Sequence, residues 1–127
     1  MMASFGFPKS VRLLNSSEFD RVFQRRCSAA DGLIVVYSAP GRSAAPRLGM
    51  VVSRKCGNAV MRNHWKRALR EAFRLIQHQL PRQLDLVVLP CRGAKPDVRR
   101  LQDSLQKLAS RSAGKLPESD TMQRENS

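Results

Sequence analysis

From Asn58 to Ile76 the sequence reads NAVMRNHWKRALREAFRLI. At about 100° per residue, Arg62, Asn63, Lys66, Arg67, Arg70 and Arg74 fall on one helical arc of roughly 140°. Glu71 is the one acid beside them. Like charges at these spacings destabilise a helix, and Arg62 and Lys66 lie toward the N-terminus, where the helix dipole disfavours cations. A bound anion removes both conflicts, and the free amides of the turn after Asn58 favour the same ligand, phosphate. Trp65, Leu69, Ala72, Phe73 and Ile76 share an adjacent, apolar arc, which places Trp65 in the core rather than on a ligand.

Other reactive residue types do not assemble into a catalytic or metal-binding pattern. Cys27, Cys56 and Cys91 are odd in number and widely spaced, without a C-x-x-C pair. That argues against a disulfide framework and for a reducing compartment. Combined with His64 or His78 they lack the close pairs of a structural zinc site, and small apolar packing accounts for them. A nuclease using His64 as general base would need a carboxylate partner or clustered acids, and the acids here are scattered. No catalytic residue and no metal ligand is assigned to the chain.

The elements that must position the basic arc can be read from periodicity. Ser17 and Asp20 stand at capping-box spacing, and Phe19, Val22 and Phe23 follow on one face of a short opening helix that fades by Cys27-Ser28. Leu33 to Tyr37 is a buried strand, broken by Pro40-Gly41. Arg47 to Ser53 is a second strand with Leu48, Met50 and Val52 on one face, joined to the first most simply as a hairpin. Asn58 caps a long helix from Ala59 to Leu80, stopped by Pro81. Leu84 to Leu89 forms a third strand, and Val98, Leu101, Leu105 and Leu108 line a last helix. The order α-β-β-α-β-α predicts an α+β fold, a small two-layer α/β sandwich, with a right-handed crossover as the general default between parallel strands. Residues 8–110 form the domain, and the polar, aperiodic stretch 111–127 reads as a flexible tail.

Composition points the same way. The 127 residues carry 23 Lys+Arg against 10 Asp+Glu, a formal net charge of +13. Residues 42–74 hold nine cations and only Glu71, net +8. A polyanionic partner follows, nucleic acid before membrane, because the helix's apolar face is needed by the sheet. Apolar runs are strand-sized, far short of the ~20 residues that span a bilayer. Residues 1–17 have no basic n-region for secretion and too few arginines for a transit peptide. The expected location is the cytoplasm.

The run from Arg47 to Arg74, RLGMVVSRKCGNAVMRNHWKRALREAFR, closely resembles the signature of the bacterial ribonuclease P protein subunits. Those have a strand ending in Ser and basic residues, then Gly-Asn-Ala-Val, an Arg-Asn-Arg box, Lys-Arg and a further Arg. Arg12-Leu13, Phe19, Val22-Phe23, Leu33 to Tyr37 and Asp85 to Leu89 extend the likeness over about residues 8–110.

The resemblance implies a left-handed βαβ crossover instead of the default. It also implies a subunit that binds a catalytic RNA and, with it, removes the 5′ leader of precursor tRNA. The chain would then be part of an endoribonuclease whose active site and Mg²⁺ belong to the RNA, with no obligate protein partner and no membrane. Carried over by position, Arg62, Asn63, His64, Lys66 and Arg67 face the catalytic RNA. Phe19, Phe23, Tyr37, Lys55 and Arg70 form the leader-binding cleft, and Arg12, Arg54 and Arg74 add phosphate contacts. Aromatics that stack on unpaired bases and cations that follow a backbone suit that assignment, although burial statistics alone place Phe19 and Phe23 in the core. His64 departs from the pattern, because it lacks the forked donor of the usual arginine. A non-catalytic RNA-binding module of ribosomal-protein type is the alternative, and it would not need an aromatic cleft.

Overall fold

A nearly unbroken apolar run needs cover on both faces, and in the computed structural model the run from Leu84 finds it in the middle of a sheet. The structure describes residues 16–41, 45–81 and 83–115. Helix α1 (Ser16–Gln24) is followed by strands β1 (Cys27–Ala30), β2 (Ile34–Pro40) and β3 (Arg47–Met50). A 3-10 turn (Arg54–Cys56) leads into α2 (Ala59–Ile76), then come a second turn (Gln77–Gln79), β4 (Leu84–Pro90) and α3 (Val98–Ala113). The sheet order is β1-β2-β4-β3, with β4 antiparallel to β2 and parallel to β3. The molecule is the α+β sandwich expected, with α2 bridging the parallel pair β3 and β4.

Several local expectations need correction. No hairpin joins β2 to β3, because β4 lies between them. β4 is apolar on both sides and takes the centre, which leaves β3, with Gly49, at the edge. The opening helix ends at Gln24, as its expected fade by Cys27-Ser28 requires, but those two residues start an unexpected strand, β1, which pairs Cys27 with Ser38 and Ala30 with Val35. Strand β2 runs through Pro40, tolerated at a strand end, and β3 stops at Met50. Helix α1 begins at Ser16, one residue before the expected Ser17 cap. Helix α2 ends at Ile76 and tightens into the 3-10 turn before Pro81.

Helix α3 continues to Ala113, so the boundary drawn at residue 111 falls inside it. Ser112 is fully buried, hydrogen-bonded to Ser38 at 2.5 Å, and Lys115 Nζ donates to the Ser28 carbonyl at 2.5 Å. Residues 116–127 of the expected tail lie outside the described residues.

The two faces of the sheet are covered unequally. Ile34, Val36, Leu48, Leu86 and Val88 pack under α2 and α3, against Trp65, Leu69, Phe73, Leu101, Leu105 and Leu108. Trp65 is completely buried, as its apolar arc requires. On the other face Val22 of α1 meets Ala39 and Val87, with Phe19, Phe23, Tyr37, Val51 and Leu89 only partly buried around them. The three cysteines are free, with Cys27 buried. Burial, and more weakly the nearby Asp31, push the Cys91 thiol pKa up.

Asp31 ties the β1–β2 turn to α3. Its Oδ1 accepts from the amides of Leu33 (3.0 Å) and Ile34 (3.3 Å), and Oδ2 accepts from Ser104 Oγ at 2.6 Å, with Lys107 Nζ 3.9 Å away. Burial raises its pKa, but the Ser104 hydroxyl, both amides and Lys107 together outweigh that, leaving it lowered. A carboxyl with a lowered folded pKa contributes stability that is present above its unfolded value, ~3.9, and is lost as pH falls through the folded value. Asp31→Asn is therefore expected to be less stable than wild type at neutral pH, with the gap closing below about pH 4. Urea midpoints across pH check this; a gap that persists unchanged to about pH 2 would show that the ionised carboxylate is not its source.

Candidate nucleic-acid interface

Helix α2 presents its cations because its start is well defined. Gly57, at φ 126°, turns the chain, and Asn58 Oδ1 accepts from the Met61 amide at 3.0 Å. The buried residues Trp65, Ala68, Leu69, Ala72, Phe73 and Ile76 then set the rotation of the helix. Asn63, His64 and Arg67 are left exposed, while Arg62, Lys66, Arg70 and Arg74 are half-buried along the border. Arg62 Nε is buried and has no hydrogen-bond partner among the described residues.

Arg74 is engaged within the helix. Its Nε and Nη2 donate to the two carboxylate oxygens of Glu71 at 3.0 and 2.7 Å, and those hydrogen bonds lower the Glu71 pKa and raise that of Arg74. The one acid of the basic arc is thus neutralised locally.

The second surface lies across the sheet. Phe23 and Tyr37 meet edge to face, ring centroids 4.9 Å apart at 82°. Tyr37 stands in register with Ser28 on one side and Val87 on the other, and Val87 with Gly49 beyond. The row thus ends at the edge strand without a side chain. Phe19 flanks the same cluster. The structure brings these three aromatics together, half-buried beside an apolar floor. Burial statistics had favoured a full core position for Phe19 and Phe23; the partial cover comes from α1 packing its Val22 alone fully into the sheet.

Lys55 and Arg70, assigned by position to the same cleft, are carried by other elements than the three aromatics. Arg70 is on α2, which packs on the other face of the sheet. Lys55, with Arg54, is exposed on the 3-10 turn that carries the chain from β3 to α2. This basic turn stands in the chain between the aromatic surface and α2. Arg12 lies outside the described residues.

Four charged residues absent from the expected site hold α1 in place. Asp85 is fully buried on the aromatic face and accepts from Arg47 Nε and Nη2 at 3.0 and 2.9 Å and from Arg21. Arg21 also donates to the Pro40 carbonyl at 2.7 Å, and Arg47 reaches Glu18 at 3.1 Å. Hydrogen bonding to Asp85 holds Arg47 even more firmly protonated. Gly41 permits this packing: a Cβ there would stand 2.8 Å from Asp85 Oδ1. An acid inside an apolar strand must have a partner, so Asp85 was the sequence signal for this network; which arginines answer it was not legible.

Residues 7–113 match the family model described as Ribonuclease P. The chain belongs to the ribonuclease P protein family. It is 42% identical over 118 residues to the ribonuclease P protein component of Saccharophagus degradans, covering 88% of this chain and 87% of that one. The component from Photorhabdus laumondii is 39% identical, covering 84% and 91%. Among solved structures, the RNase P protein of Staphylococcus aureus superposes with a TM-score of 0.70 at 32% identity, over 85% of this chain and 98% of that chain. The RNase P protein of Thermotoga maritima gives 0.68 at 31%, over 76% and 92%. The RNase P fold thus accounts for the sandwich and for the place of α2 on it.

Proposed function

We propose that this chain acts as the protein subunit of ribonuclease P in tRNA 5′-end maturation, binding the catalytic RNA through α2 and the single-stranded leader of precursor tRNA on the aromatic face. The observation that carries the reading is the division of the surface. A cationic helix covers one side of the sheet and a partly open aromatic cluster lies on the other. Folded RNA is held chiefly through phosphates, which Arg62, Asn63, Lys66 and Arg67 suit. Unpaired bases are held by stacking, which Phe19, Phe23 and Tyr37 suit. Arg54 and Lys55 would follow the backbone between the two.

The hydrolytic chemistry belongs to the RNA in this reading. Among the described residues no cluster of three or more His, Cys, Asp or Glu could hold a metal ion. Glu71, Asp85 and Asp31 are each committed to partners of their own. In this reading Mg²⁺ is the RNA's ion, and this chain contributes affinity and placement of the substrate. No described helix is long and apolar enough to cross a membrane; in this reading the protein acts on tRNA in the cytoplasm.

Reconstitution tests the reading. With Mg²⁺ at a level where a bacterial ribonuclease P RNA alone turns over slowly, the full chain is expected to accelerate formation of the mature tRNA 5′ end. The protein without RNA is expected to cut nothing. Cleavage by the protein alone would overturn the assignment of chemistry, and no acceleration would overturn the subunit role.

A further inference from the structure

Helix α2 and the segment leading into α3 leave between them an open hollow of about 400 Å³, lined by His64, Arg67, Ala68, Glu71, Pro96 and Val98. That is within the range of small-ligand clefts, about 300–1,000 Å³. Ala68, Pro96 and Val98 make its apolar part. Glu71, the one acid, is turned to the Arg74 fork. His64 and Arg67 are exposed, and their side chains make no hydrogen bond or ion pair among the described residues. The hollow therefore offers a flat aromatic ring, a free guanidinium and an apolar wall.

Its surroundings are cationic as well. Arg92, Lys95, Arg99 and Arg100 are exposed within nine residues of chain that include Pro96 and Val98. Asp97, the one acid there, is used as the N-cap of α3, accepting from the Arg100 amide at 3.2 Å. The first turn of α3 carries no acid to offset its arginines. This charge lies outside residues 42–74 and has no part in the two surfaces described above.

We infer that the hollow receives one unpaired nucleotide of the catalytic RNA, its base against the His64 ring and the apolar wall, its phosphate at Arg67. The inference rests on the proposed role as an RNA-binding subunit and adds a defined contact to it. A base within a duplex is stacked on both sides and its edge is paired, so it cannot enter; an unstacked base presents the face that an aromatic ring accepts. A phosphate alone would leave the apolar wall unused, and an apolar ligand would leave Arg67 desolvated without a partner.

The test combines affinity of the full chain for a bacterial ribonuclease P RNA with nucleotide-by-nucleotide chemical probing of that RNA. His64→Ala is expected to weaken binding about tenfold and to expose one unpaired nucleotide that wild type protects. His64→Phe is expected to restore both, since it keeps the ring face. The position is exposed, so neither change should disturb folding. Arg62→Ala, roughly 160° away around the helix, should weaken binding without exposing that nucleotide. Equal affinity and protection for wild type and His64→Ala would overturn the inference. So would loss of protection in both His64 variants, because the ring would not be the stacking surface. Failure of wild type itself to bind the RNA would instead overturn the functional reading beneath it.

Discussion

Replacing Asp85 by asparagine is expected to cost about 3 kcal/mol of stability. The carboxylate is fully buried and shared by Arg21 and Arg47. Without its charge the two guanidinium groups face each other with Glu18 as the remaining anion of the network. Removing one partner of a buried pair costs about 3–5 kcal/mol. The lower end applies because the side chains of Arg21 and Arg47 are 24% and 14% exposed and solvent screens part of the interaction. Urea denaturation should show a lower midpoint with an unchanged slope. Arg21→Ala should cost less, since Arg47 keeps its two-point grip on Asp85. A loss below about 1 kcal/mol for Asp85→Asn would reduce the network to an ordinary surface pairing. The consequence extends to the proposed leader site, because the helix held by these charges carries Phe19 and Phe23.

The second large effect is on substrate discrimination. Tyr37→Ala is expected to weaken binding of leader-bearing precursor tRNA by about 1–3 kcal/mol, the worth of one stacked base. Binding of mature tRNA, which has no leader, should be unchanged. Tyr37→Phe keeps the ring and its edge contact with Phe23, and should stay near wild type. Parallel titrations of the two RNAs with the reconstituted holoenzyme provide the measurement. Equal losses for both RNAs would assign Tyr37 a purely structural role in the Phe19–Phe23 cluster.

Helix α2 was legible because local rules agree along its length. Asn58 caps it, its apolar residues repeat at helical spacing, and the arc they predict is buried, with Ala68 added. The free hydrogen-bonding capacity of His64 and Arg67 also follows from their place on the exposed side. The sheet was less legible. Four-residue strands such as β1 carry little periodic signal, and Cys-Ser-Ala-Ala lacks the β-branched and aromatic residues that mark strands. Chain order suggested a hairpin, whereas burial of β4 on both faces decided the neighbours. The aromatic cluster was half legible: helical spacing placed Phe19 and Phe23 together, but Tyr37 reaches Phe23 only through sheet pairing.

By itself, the sequence determined that one strongly basic helix packs against a sheet, that its cations share a flank, and that the chain carries the ribonuclease P protein signature. These are local properties, set by a 3.6-residue period and by residue types within a single run of chain. Tertiary structure decided which face of the sheet stays partly open, which two arginines share Asp85, and that His64 borders a hollow completed by Pro96 and Val98. Those depend on contacts between residues tens of positions apart, whose pairing is chosen by burial of the whole sheet and leaves no periodic trace in the chain.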